Sequence, residues 1–319
     1  MNEVASAALG RMLEHESEGW SFRRALEALL LELDDEGAEL LQLQLREGRA
    51  AWLTQLAGPV GKALFVGHAF SGTITALALQ GYAVELLDPL QERTRFAAFR
   101  ARAQTPGKVE AVQAASGPYS LVVIEEGLPP RAEDLAAYER LLEAQGELVL
   151  VADNRLGYKR SLGKKGEFRV SGPLGFARRA FAPAAGERTL RGYRRALGIG
   201  RVRAVEGFAL YPHRLDFSHV VALDRPHPAL TIGPLEKKNR IKLAGKALGL
   251  FPVLAPSFAL VARIDAAQHT RVERVLGVLA KRLHEPPPSV ETVVATRGNN
   301  AVVHTHAGAS WTLHIPLAP

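Results

Sequence analysis

Cysteine is missing from this 319-residue sequence, which excludes disulfide scaffolds, thiol nucleophiles and cysteine-ligated zinc or iron–sulfur centres. No apolar run approaches the roughly 18 residues needed to span a bilayer. The opening MNEVASAALG lacks a basic stretch ahead of an apolar core, so no secretory leader is expected there. No zinc finger or RNP aromatic pair occurs, so no ready-made nucleic-acid module of those kinds stands out. A cytoplasmic protein is the expectation. What remains is ordinary globular material, 47% hydrophobic and 23% charged, which argues against collagen, coiled coil and wholesale disorder. The length predicts two or three domains.

Charge is unevenly spread. The formal total is +7, yet residues 1–154 hold 13 basic and 23 acidic side chains. Residues 155–203 reverse this with 14 basic and 2 acidic, Glu167 and Glu187. Such a block suits a phosphate-bearing partner (nucleic acid, nucleotide sugar or anionic lipid carrier) and equally suits a solvated basic face.

Apolar spacing predicts helices over 5–56, stopped by Pro59 and Gly61. An alternating rhythm follows. Strands are predicted at 62–67, 82–88, 108–114, 119–126 and 146–154, with helices at 72–80, 89–104 and 131–145. Strands with few polar interruptions, separated by helices, indicate a doubly wound, mostly parallel α/β sheet. Residues 155–203 read as long loops ending in a helix near 187–197. Later strands at 202–212 and 219–224 extend the sheet, followed by a basic helix at 237–251 and a strand at 257–264. The last part changes character: a helix at 271–285, the stiff spacer Pro286–Pro288, then three β-like runs joined by turn residues. The expected division is a helical segment 1–58, an α/β domain 59–264 with its basic insertion 155–203, and a small C-terminal α+β appendage 265–319.

In an open α/β sheet the ligand lies outside the carboxyl ends of the strands, which singles out residues 63–88. There Gly67 ends the first strand, Ser71 and Gly72 open the helix, and Asp88 ends the second strand 21 residues after Gly67. Small residues let a ligand approach the backbone, helix N–H groups are free to bind it, and an acidic side chain accepts from ribose hydroxyls. With Gly67, Gly81 and Asp88 at these offsets, the chain resembles the class I S-adenosyl-L-methionine (SAM)-dependent methyltransferases, whose core is Rossmann-like. The runs GPYSLVVIEEGL (117–128) and GELVLVADN (146–154) match that family's fourth and fifth strands. The segment DNRLGYK (153–159) and the later Tyr211-Pro212 with Asp216 are similar to methyltransferases of bacterial glycan and cell-surface biosynthesis. The likeness covers roughly 60–262. The glycine loop departs from it: Ala69 and Ser71 stand at the second and third glycine positions, and His68 and Phe70 are bulky.

The resemblance implies SAM as cofactor, held by Gly67, His68, Ala69, Ser71, Gly72, Asp88 and Glu125. It implies a polar, anionic acceptor, a glycan or glycolipid intermediate or another phosphate-bearing small molecule, met by Asp153, Asn154, Arg155, Lys159 and Arg160. Asp88 reads alternatively as a cap for the helix that follows it. Glu125, Asn154 and His213 are the candidates for a catalytic group, although methyl transfer relies mainly on alignment. His304, His306 and His314 read as surface histidines rather than as a metal site, since no carboxylate accompanies them. The terminal meander faintly resembles the first strands of a phosphotransferase-type kinase small lobe. It fits either a clipped methyltransferase–kinase fusion or a β appendage that packs or forms a homo-oligomer. Two other functions stay open: a retired methyltransferase fold serving as a binding scaffold, and an RNA methyltransferase using the basic block.

Overall fold

The computed structural model describes residues 3–45, 60–125, 131–157, 159–162, 168–170, 188–211, 213–215, 219–223, 253, 255–265, 292–297, 300–305 and 312–316. Three helices lead the chain: α1 (Glu3–Ser17), α2 (Phe22–Glu32) and α3 (Asp35–Leu45). Ser21 caps α2 by accepting from the Arg24 N–H, which satisfies one of the donors that a helix start leaves open.

Five strands then form the parallel half of the sheet: β1 (Lys62–Gly67), β2 (Ala83–Leu87), β3 (Val109–Ala111), β4 (Tyr119–Glu125) and β5 (Leu142–Asp153). Their spatial order is β3-β2-β1-β4-β5, and every neighbouring pair is parallel. The crossovers are α4 (Gly72–Leu79), α5 (Gln91–Gln104) and α6 (Ala132–Arg140). Successive residues of β1 serve opposite faces. Ala63 and Phe65 pack with Ile74 and Leu77 of α4 on one side, whereas Leu64 and Val66 pack on the side of Leu135 of α6. Both faces are thus covered, which is why these strands read as continuous apolar runs. The doubly wound α/β prediction holds.

Beyond β5 the sheet changes direction. β10 (Ser257–Arg263) runs antiparallel between β5 and β8 (Ala204–Tyr211). β9 (His219–Ala222) pairs with the outer side of β8, so the two late strands extend the sheet as expected. Helix α7 (Leu190–Leu197) covers this half with Tyr193 and Leu197, both buried. The C-terminal strands β11 (Thr292–Arg297), β12 (Asn300–Thr305) and β13 (Thr312–Pro316) form an antiparallel meander. Its last strand lies parallel to β9 and completes an 11-stranded sheet.

Three details differ from the sequence reading. The helix expected to reach 145 stops at Arg140, because Leu142 pairs with Tyr119 across a register shift and starts β5 early. The stretch read as loops contains a hairpin, β6 (Lys159–Leu162) with β7 (Phe168–Val170). Helix α7 begins at Leu190, where Thr189 caps it. The helices expected at 237–251 and 271–285 and the Pro286–Pro288 spacer lie outside the described residues.

The N-terminal helices pack on α5 as a separate core. Leu9, Met12, Ala25 and Leu29 meet Phe96 and Phe99 there, together with one residue of the β1–α4 loop, Phe70. No helix among the described residues is long and apolar enough to cross a membrane.

Candidate functional site

Strand order reverses between β1 and β4, so their carboxyl ends diverge into the crevice where open α/β sheets place ligands. Gly67 is the last residue of β1 and lies directly beside Glu125, the last of β4. Its φ is +141°, and a Cβ there would come within 2.5 Å of the Glu125 carbonyl oxygen. Only glycine satisfies both the torsion and the contact. Ser71 then caps α4, accepting from the Thr73 N–H at 3.2 Å. The loop turns through a hydrogen bond from the Ser71 N–H to the His68 carbonyl.

Two carboxylates tie this loop down. Glu125 accepts from the Ser71 hydroxyl at 2.6 Å through Oε2 and from the Thr73 hydroxyl at 2.7 Å through Oε1. Asp88 accepts from the Ala69 N–H at 3.0 Å through Oδ2 and from the Leu90 N–H at 2.9 Å through Oδ1. Arg93 adds its charge, with Nε 3.4 Å from Asp88 Oδ2. The Asp88 side chain is 1% exposed. It therefore fixes the turn ahead of α5, with no oxygen turned to solvent, while the N-cap of α5 itself is Leu90, which has no side-chain cap.

The bulky loop residues have separate fates. Phe70 leaves the crevice and meets Phe96 edge-on, with ring centroids 4.6 Å apart, inside the helical core. His68 stays half-buried at the mouth, and its Nδ1 is buried without a hydrogen-bond partner. Burial pushes its pKa down to about 4, the positive charges of Arg93 and Arg214 act in the same direction, and Asp88 opposes them.

A second constellation stands at the end of β5. Asp153 Oδ1 accepts from the Ser257 hydroxyl at 2.9 Å and lies 3.1 Å from His213 Nε2 and 3.3 Å from Arg214 Nε. Ser257 in turn accepts from the Arg214 N–H at 3.1 Å, and the Tyr193 hydroxyl donates to the Asp153 carbonyl. Burial alone would raise the Asp153 pKa, but the Arg214 charge and the His213 bond hold it well below the usual carboxylate range.

The candidates separate on this geometry. Gly67, His68, Ala69, Ser71, Gly72 and Glu125 gather around one loop, with Asp88 behind it. Asn154 is fully buried, and its amide donates to the carbonyls of Val253 and Ala255 at 2.7 Å each. Its Oδ1 accepts from the Leu156 N–H. Asn154 thus clasps one chain segment to another. His213 is buried too, with Nε2 on Asp153 and Nδ1 accepting from the Leu215 N–H at 3.4 Å, so it is enclosed rather than presented as a base. The Arg155 backbone N–H bonds to the Arg188 carbonyl. Lys159 and Arg160 lie on β6, where only the backbone is described, and His306 lies outside the described residues.

Sequence reading missed Thr73, Arg93, Arg214 and Ser257. Thr73 sits in plain view, at the start of a helix whose capping serine is readable from its position. Ser257 reaches Asp153 across 104 residues, a distance over which spacing carries no information.

An adenosyl sulfonium, which the resemblance implies, would meet a side-chain-free Gly67, the N-terminus of α4 and a buried, unpartnered His68 Nδ1 here. The two carboxylates do not wait open for it.

No family model and no curated protein sequence matches the chain. Solved structures do match it, at low identity, and methyltransferases are among them. Phosphoethanolamine N-methyltransferase 2 of Haemonchus contortus, in complex with S-adenosyl-L-methionine, aligns at 12% identity and TM-score 0.43, over 67% of this chain and 51% of that one. Geranyl diphosphate C-methyltransferase of Streptomyces coelicolor A3(2), with geranyl diphosphate and S-adenosyl-L-homocysteine, aligns at 14% identity and TM-score 0.42, over 68% and 77%. The alignment spans about half the length of the Haemonchus enzyme.

Proposed function

We propose that this chain is a SAM-dependent methyltransferase acting on a polar, anionic acceptor such as a glycan or glycolipid intermediate. The observation that carries the reading is the meeting of Gly67, the α4 N-terminus and Glu125 at the reversal of strand order. A crevice of that kind accepts a nucleoside against main-chain atoms. The cofactor, when bound, supplies an electrophilic methyl group. The chain's own residues hold and orient: loop 67–72 forms the cradle, Glu125 locks Ser71 and Thr73, and Asp88 fixes the loop through the Ala69 N–H. No base is required of the site, since alignment of the acceptor supplies most of the effect. In this reading the catalytic unit spans 59–264, with 1–58 as a helical cap and 265–319 as an appendage.

Calorimetric titration with SAM and with S-adenosylhomocysteine tests it. Saturable binding that Gly67→Val abolishes, in a variant that keeps its circular dichroism, is the expected result. A second reading has its own support, because the carboxylate oxygens of Asp88 and Glu125 are all occupied by the protein. That reading is a retired fold kept as a binding scaffold, and absence of binding to either nucleoside would establish it over the enzyme.

A further inference from the structure

The Asp153 network has one side left over. Ser257, His213 and Arg214 all converge on Oδ1, and Oδ2 makes no hydrogen bond or ion pair to any described residue. The Asp153 side chain keeps 25% of its surface exposed and that of Arg214 keeps 15%. Arg214 is arranged in complementary fashion. Its Nε faces Asp153, its backbone N–H is anchored on Ser257, and its two terminal nitrogens have no partner among the described residues. Asp153 is the last residue of β5, which lies beside β4 and two strands from β1, and the Arg214 charge also lowers the His68 pKa.

An ion pair held side-on through Nε and a single carboxylate oxygen exposes one strong acceptor and one forked donor next to each other. We infer that Asp153 and Arg214 form an acceptor subsite for a compact molecule that carries a hydrogen-bond donor beside an anionic group. Oδ2 takes the ammonium or hydroxyl, and the Arg214 fork takes the phosphate or carboxylate. Ser257 and His213 are positioning residues, because they touch Asp153 only on its inner oxygen. The inference rests on the methyltransferase reading for its meaning as an acceptor site, though not for the binding itself.

Titration calorimetry of the full chain with phosphoethanolamine, glycerol 3-phosphate, ethanolamine and inorganic phosphate tests it, with SAM titrated in parallel. The two-headed probes should bind at least about tenfold more tightly than either single-headed one. Arg214→Gln should remove the preference for phosphate-bearing probes, and Arg214→Lys should restore only part of it. Asp153→Asn should remove the preference for phosphoethanolamine over inorganic phosphate. Ser257→Ala, which leaves Oδ2 and the guanidinium in place, should retain the two-headed preference. Equal affinity for all four probes, or affinities unmoved by Arg214→Gln, would overturn the subsite. Probe binding that depends on Arg214 without any SAM binding would keep the subsite and discard the methyltransferase reading. SAM binding with indifferent probes would do the reverse.

Discussion

Acidification provides a direct test of how the loop at the mouth is packed. An unfolded histidine protonates near pH 6.5, while burial and two neighbouring arginines push His68 down to about 4. Below pH 6.5 the unfolded chain therefore takes up a proton that the folded loop refuses. Unfolding is favoured progressively until about pH 4, where the folded ring protonates as well and this contribution stops growing. A gap of that size corresponds to about 3 kcal/mol, reduced to about 2 kcal/mol because the ring is only part-buried and water screens it. Urea unfolding of the wild type and of His68→Gln, at pH 7 and at pH 4.5, reads the difference. The wild type should lose about 2 kcal/mol more than the variant on going to the lower pH, since the variant carries every other titrating group. Parallel losses would show that the His68 ring is open to solvent and would refute the buried packing of the loop.

Two further outcomes concern stability. Gly67→Ala adds left-handed strain and a clash with the Glu125 carbonyl 2.5 Å away; a loss of about 2–5 kcal/mol in chemical denaturation is expected, and less than about 1 kcal/mol would mean that the turn relaxes freely. Asn154→Ala strips the bonds to the Val253 and Ala255 carbonyls; about 2–4 kcal/mol should be lost, with faster amide exchange at residues 154–157, and unchanged exchange would refute the clasp.

Much of the architecture was legible because the parallel strands are buried on both faces, and their sequences are correspondingly unbroken. LFV in β1 and LVVI in β4 could hardly be anything else once Gly67 and the following helix were seen. Boundaries were less legible where pairing overrode local preference. Leu142 to Gln145 read as the end of a helix, yet Leu142 pairs with Tyr119 and β5 starts there. The β6–β7 hairpin was hidden by its basic, glycine-rich surroundings, which mask a period of two. At the site, local features were readable and long-range ones were not. Gly67 and the Ser71 cap announce themselves within a few residues, but the Asn154 amide reaches the carbonyls of Val253 and Ala255, about 100 residues away.

Phe70 settles what the loop is attached to. Set in a loop whose neighbours Ala69 and Ser71 are small, its ring is held among Leu9, Met12, Phe22 and Phe96. The opening helices and the floor of the crevice consequently share a rivet, and neither can shift without straining the other. A shortened chain lacking the first 45 residues would leave that ring only Phe96 and Phe99 of this cluster to pack against. The bend that follows Gly67 would then be governed by Asp88 and Glu125 alone.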